Sequence, residues 1–304
     1  MPRDLQTLAD AFERGDWAGM EQELAETKDL ANLVTGFRAA DRPWPDAPRR
    51  RAVFALEIGL AGLRSDNGYA RDEGSRLLAE YNTLVRQTGT GDVFECAWLW
   101  TQAAGLEGAL RPNIAAVFIS RATQRCPNEP RLNLALAVVT EQQWLRNPQT
   151  SGAETAEVTR RYEQAMQSPE TAAEARVRNA LFFYRLGDYR QAIGLLERPL
   201  PPSPDKYVRF LVDLVRGKVL GRLGRLDEAE AAFRSALATW PGAQSARISL
   251  MTLLATGVDP REAAALAEAA ETAPDGQLDP WWTYWLGDAR VYPDIIARLR
   301  ELTR

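Results

Sequence analysis

Arg185-Leu186-Gly187-Asp188-Tyr189-Arg190-Gln191-Ala192-Ile193 decides how the chain is read. Glycine followed by a polar residue stops one helix, and an aromatic residue or leucine then opens the next. The arrangement returns in Gly221-Arg222-Leu223-Gly224-Arg225-Leu226-Asp227-Glu228-Ala229-Glu230 and, near the start, in Arg14-Gly15-Asp16-Trp17. On either side the apolar residues keep helical spacing: Leu5, Leu8, Ala9 and Phe12; Val177, Leu181 and Tyr184; Leu226, Ala229, Ala232 and Phe233. No convincing alternating stretch of five or more residues marks a strand, so the expected class is all-α, built from helix-turn-helix hairpins.

The hairpins recur at a fixed interval. The small residue after each turn falls at Ala115, Val158, Ala192, Ala229 and Ala263, with separations of 43, 34, 37 and 34. The two long intervals contain insertions at 147–152 and 199–204. A proline follows 12 residues after Ala115, Ala192 and Ala229 (Pro127, Pro204, Pro241), and 11 after Val158 and Ala263 (Pro169, Pro274). This register of about 34 residues resembles the tetratricopeptide repeat family, with small residues at positions 8 and 20, a large apolar one at 24 and proline at 32. The repeat opening at Cys96 matches with Ala103, Ala115, Ile119, Ala122 and Pro127. The one opening at Ala173 matches with Ala180, Phe183, Ala192 and Leu196, and the one opening at Phe210 with Gly217, Leu220, Ala229, Phe233, Ala236 and Pro241. The family's tryptophan at position 4 is missing throughout.

The resemblance implies a right-handed superhelix (α-solenoid) of about eight hairpins in one helical-repeat domain over 1–304. Residues 1–92 form divergent N-terminal hairpins, 93–275 the repeats and 276–304 C-terminal capping helices. Within the first part, a helix pair is expected at 49–64 and 69–88, with an extended proline-rich connector at 42–48. The tail resembles the endings of some uncharacterised bacterial repeat proteins.

Composition removes several function classes. No histidine is present, which excludes Ser-His-Asp and Cys-His nucleophile systems and every histidine-containing metal site. Cys96 and Cys126 are too few for a four-thiolate metal site, and no metal or cofactor is expected. A net charge of −4 and a pI near 5.3 supply no bulk positive field for a phosphate backbone, so nucleic acid is not an expected partner. No run of 18 apolar residues spans a membrane. The first residues carry no signal peptide, which points to the cytoplasm; a periplasmic location stays open if a signal has been removed.

Four candidate features remain. Gly89-Thr90-Gly91-Asp92 lacks the lysine and preceding strand of a phosphate loop and reads as a linker. Cys96 and Cys126 sit at positions 1 and 31 of one hairpin; a disulfide is geometrically open there, and free, inert thiols are the expected state. Trp281, Trp282, Tyr284 and Trp285 are expected to cap the last repeat's exposed apolar face, with docking of a partner as the alternative. The fourth is the concave groove, which the resemblance places at helix-A positions 2, 5, 9, 12 and 13. These positions fall on Trp100, Ala104 and Glu107; Arg131, Leu134, Val138, Glu141 and Gln142; Val177, Leu181, Tyr184 and Arg185; and Leu214, Lys218 and Arg222.

Aromatic and aliphatic groups there suit anchoring, and Arg185, Lys218 and Arg222 suit acidic groups. The Lys/Asn pattern of the chaperone-binding carboxylate clamp is absent. The expected function is a non-catalytic protein–protein interaction scaffold binding a partner peptide or subunit. Two alternatives stand beside it. One is a structural subunit of a larger complex or homo-oligomer, with Phe12 and Trp17 open at the N-terminal end. The other is a carboxylate-based enzyme, which would need a closed pocket holding two carboxylates about 5–10 Å apart.

Overall fold

The structure, a computed structural model, describes residues 3–39, 48–88, 92–108, 112–146, 152–198, 205–271 and 279–303. Among the described residues there are sixteen α-helices and no strand, so the fold is the expected all-α helical repeat. The first hairpin is α1 (Arg3–Arg14) with α2 (Trp17–Glu26). A third helix, α3 (Leu30–Arg38), follows where the turn pattern gave no signal. Then come α4 (Pro48–Arg64) with α5 (Gly68–Thr88), the expected pair, and α6 (Val93–Gly108) with α7 (Pro112–Arg125). The repeats continue as α8 (Pro130–Arg146) with α9 (Gly152–Ala165), α10 (Ala172–Arg185) with α11 (Tyr189–Leu196), and α12 (Lys206–Arg222) with α13 (Leu226–Thr239). Next are α14 (Gln244–Leu253), prolonged by a π turn (Leu254–Val258), and α15 (Pro260–Glu271). A segment of 3-10 turns (Pro280–Val291) leads into α16 (Tyr292–Glu301). Residues 42–47 of the connector and the linker glycines Gly89 and Gly91 lie outside the described residues.

Packing divides the chain into two compact units, residues 133–287 and residues 1–132 with 288–304. In the first of these, the turns work as their sequence suggests. Gly187 and Gly224 adopt φ of 80° and 75°, a left-handed conformation in which a Cβ is strained. That conformation lets the next amide reach back five residues, Asp188 to the Phe183 carbonyl and Arg225 to the Leu220 carbonyl, both at 3.0 Å. Asp188 then caps α11 by accepting from the Gln191 amide at 3.0 Å.

Within and between the hairpins the seams are apolar and set by size. Val158, Ala192, Ala229 and Ala263, the small-residue series, are all buried. Gly217 shows why such positions stay small: a Cβ there would stand 2.5 Å from Phe233 Cε1. Phe233, packed with Leu214, Leu220 and Leu250, contributes about 1.5–3 kcal/mol by burial.

In the other unit α4 and α5 pack backbone to backbone, and a Cβ on Gly74 would lie 2.7 Å from the Gly59 carbonyl. Phe12 is 1% exposed, with the rings of Trp17 and Phe54 edge-on at 5.3 and 5.1 Å. The expectation that Phe12 lies open for end-to-end stacking is therefore corrected, because its own hairpin and α4 cover it. Cys96 and Cys126 form a disulfide, with Cα atoms 5.8 Å apart. The free thiols expected from sequence are corrected too: the antiparallel hairpin returns its two ends to bonding distance. α16 packs on α6 and α4, within this unit.

Candidate functional site

The site lies in the unit of residues 133–287, where the inner helices α8, α10, α12 and α14 each touch residues 279–287 of the same chain. The segment begins at Asp279. Its carboxylate accepts from the Ser245 amide at 2.5 Å and the Ser245 hydroxyl at 3.0 Å, at the start of α14, and also from its own Trp281 amide at 2.9 Å. The Trp281 ring lies 5.6 Å from the Lys218 Nζ of α12 and stacks on Tyr284 at 5.4 Å. Tyr284 is 1% exposed. Its ring is covered by the guanidinium of Arg178 at 4.3 Å, its carbonyl accepts from Arg178 Nη1 at 3.0 Å, and its hydroxyl donates to Glu141 at 3.3 Å. Trp285 stands edge-on to Tyr284 at 4.6 Å beneath Arg185, and its carbonyl accepts from Gln142 Nε2 at 3.1 Å. Gly287, with φ of 51°, turns the chain at the segment's end.

Charge beneath the segment is locally matched. Arg185 pairs with Glu141, which also accepts from the Tyr162 hydroxyl at 2.5 Å. Arg178 donates through Nε to Glu174, one helical turn before it, at 2.9 Å. Burial pushes the Tyr162 and Tyr284 phenols well above their usual range, and the Glu141 charge adds to it. Burial lowers the Lys218 ammonium, against the opposing pull of Asp279. Such pairing is what keeps several ionisable groups tolerable in one dry place.

Most of the predicted groove residues meet the chain's own C-terminal stretch. Glu141, Gln142, Arg185 and Lys218 do so as described. In the other unit, Trp100 Nε1 donates to Asp288 at 2.6 Å and Arg131 reaches the same carboxylate at 3.4 Å. Arg222 and Tyr184 do not join them: Arg222 donates to the Tyr189 hydroxyl at 3.1 Å, and Tyr184 packs on the Tyr189 ring. The Glu107 side chain lies outside the described residues. Tyr284, with Trp281 and Trp285 packed beside it, belongs to the same apolar cluster as Leu253, Leu254, Ala263 and Leu266 of the last hairpin. The helices also offer these rings cations and carboxylates, which rings bind edge-on and face-on. Trp282 alone of the cluster is left 68% exposed.

Sequence reasoning missed Arg178, Glu174, Tyr162, Ser245 and Asp279. Glu174 and Arg178 stand four apart on a helix otherwise rich in alanine and large apolar residues. An i,i+4 ion pair on a helix with so little polar surface was the available signal. Nothing in the spacing of Asp279 indicated Ser245.

The other unit holds a cleft of about 480 Å3 between α2, α4 and α16, lined by Leu24, Leu30, Leu60 and Tyr292. Glu57 and Glu21, also in its wall, converge on one guanidinium, that of Arg300, at 2.6 and 3.3 Å. Burial raises the Glu57 carboxyl, with Arg300 opposing it. Among the described residues, no cluster of three Cys, Asp or Glu side chains suits a metal ion, and no helix is long and apolar enough to cross a membrane.

A tetratricopeptide-like helical-repeat fold is thus established by the hairpins and their register. No family model matches the chain, and no curated protein matches it. Among solved structures it is similar to "MamA MSR-1 C2", at 17% identity over 69% of this chain and 98% of that one, with a TM-score of 0.38. It is also similar to the human IFIT1 dimer with m7Gppp-AAAA, at 15% identity over 88% of this chain, with a TM-score of 0.47. A monomeric IFIT1 mutant with Gppp-AAAA follows at 16% identity, 87% coverage of this chain and a TM-score of 0.45. The chain spans 58% of the length of either IFIT1 chain.

Proposed function

We propose that this protein is a non-catalytic interaction scaffold that holds a protein segment against the inner face of its repeats. One observation supports the reading above others: side chains from four successive inner helices already grip a segment of polypeptide there, residues 279–287. Stacked hairpins provide such a face without further invention, because each repeat presents the same helix positions to it. Arg178 and Arg185 of the face are matched by Glu174 and Glu141, a pattern suited to polar and aromatic protein groups more than to a run of phosphates. In the 480 Å3 cleft, Glu21 and Glu57 share Arg300, an arrangement suited to structural pairing more than to acid–base work. The Cys96–Cys126 bond favours an oxidising compartment, hence the exported alternative over the cytoplasm.

The test is site-specific photocrosslinking in the native organism, with a benzophenone amino acid in place of Trp282 and, as control, of Tyr69, 57% exposed in the other unit. A discrete adduct with a protein at position 282 and none at 69 is expected. No adduct at 282 under conditions where the variant is folded would sink the reading.

A further inference from the structure

The 480 Å3 cleft carries binding groups that the chain itself leaves open. Glu57, Leu60, Ala61 and Arg64 of α4 all line it, and their spacing of three, four and seven residues places them on one helix face. With a rise of about 1.5 Å per residue, Glu57 and Arg64 stand about 10 Å apart along the axis. Leu24, Leu30 and Tyr292 complete the apolar wall and are only half-buried. This volume, with apolar walls and a few polar groups, is that of small-ligand sites.

Near Glu57 the cleft has a surplus negative charge. Arg300 donates to both Glu57 oxygens, at 3.0 and 2.6 Å, and both residues are more than nine-tenths buried. Glu21 meets the same guanidinium through Oε1 alone, at 3.3 and 3.4 Å, so two carboxylates share one cation and Glu21 Oε2 accepts from no described residue. Near Arg64 the sign reverses. Its guanidinium lies over the Tyr292 ring at 4.7 Å and pairs with no carboxylate among the described residues. The Tyr292 hydroxyl feels all four charges: burial raises the phenol, Glu57 and Glu21 add to it, and Arg64 and Arg300 oppose it. The cleft thus has an anionic end, an apolar middle and a cationic end. Its complement is a zwitterion with an apolar body.

We propose that this cleft binds a short free peptide of apolar residues, its amino terminus at Glu21 and its carboxylate at Arg64. A free amino acid is too short, because its ammonium and carboxylate share one carbon. An extended chain covers about 3.3–3.6 Å per residue, so about three residues match the span. Capture of chain termini by fixed groups is a recurrent mode of peptide recognition, and an arginine fork suits the carboxylate in particular. The site uses none of the inner face of residues 133–287, so the proposal stands independently of the scaffold reading.

The experiment is isothermal titration calorimetry of the full-length protein, disulfide intact, with the tripeptide Leu-Ala-Leu. Saturable binding at one site is expected, and amidating the peptide's carboxylate or replacing Arg64→Ala should each weaken it about tenfold. The two changes together should cost no more than either alone, since both remove the same pair. Acetylating the amino terminus and Glu21→Gln should form a second such pair, of about two- to fivefold, because Glu21 is exposed. Ala61→Phe, which sets a ring into the cleft, should abolish binding. No saturable heat at millimolar peptide overturns the proposal, as does retained binding to an Ala61→Phe variant that melts cooperatively. Equal binding of the free and doubly blocked peptides overturns it in favour of a neutral apolar ligand. Loss on amidation with full binding of the acetylated peptide overturns it in favour of the carboxyl end of a longer protein. If Ala61→Phe does not fold, Arg64→Ala with the amidated peptide decides: additive losses place the carboxylate elsewhere and overturn the proposal.

Discussion

Two interfaces in residues 133–287 share one apolar cluster and differ in the charge they carry. Between α12 and α13 the fit is one of volume, with Gly217 leaving room for the Phe233 ring. Between the helices and residues 279–287 charge is added to apolar packing, with Tyr284 in the core cluster, Arg178 over Tyr284 and Arg185 over Trp285. The first kind holds hairpins together by excluding water from groups that have no use for it. The second keeps ionised groups dry only as long as each finds a partner. The contrast separates what makes the repeat from what the repeat can hold.

Arg178→Ala should break the second interface most severely. Arg178 is 0% exposed and pairs with Glu174, so its removal strands a buried carboxylate; a loss of about 3–5 kcal/mol is expected by urea denaturation. A loss below about 1 kcal/mol would mean that water reaches Glu174 and that the groove is wetter than its packing indicates. Reduction of Cys96–Cys126 asks how far a hairpin of the same register in the other unit depends on a crosslink. Closing 30 residues constrains the unfolded chain by about 3–4 kcal/mol in the chain-entropy view, and a drop of that order in urea stability with dithiothreitol is expected.

Gly217→Ala sharpens the first interface. The added methyl meets Phe233 at 2.5 Å, and a destabilisation of about 1–3 kcal/mol should appear in thermal melts. The smallest effect is expected from pH. Tyr284 is held neutral when folded, its pKa raised by burial, so protons are released more readily by the unfolded chain once pH passes about 10. Stability is then complete below pH 10 and declines above it, by up to about 1.4 kcal/mol per pH unit for one phenol. Tyr284→Phe should make that decline shallower; an unchanged slope would show that Tyr284 is hydrated in the folded state.

Legibility in the sequence followed the same division. The turns at Gly187 and Gly224 were readable because a left-handed glycine and a capping residue act within five residues of each other. The buried series of Val158, Ala192, Ala229 and Ala263 was readable because spacing alone puts them on one seam. Glu141, Gln142, Arg185 and Lys218 were found through the repeat register, with no hint of what they touch. Trp281, Tyr284 and Trp285 were singled out for their size, with no hint of the arginines and the carboxylate they also meet. The state of Cys96 and Cys126 was misjudged as well, although the hairpin that joins them was foreseen.

By itself the sequence determined that the chain is helical and that its hairpins recur at about 34 residues, since both depend on near neighbours and periodicity. Only the tertiary structure decided that the inner face is occupied by residues 279–287 and that α16 joins the residues at the other end of the chain. Pairings such as Asp279 with Ser245, or Arg300 with Glu57, join residues 34 and 243 positions apart. Their cost in chain entropy and their gain in burial are settled by where the whole chain goes, and no local pattern records that.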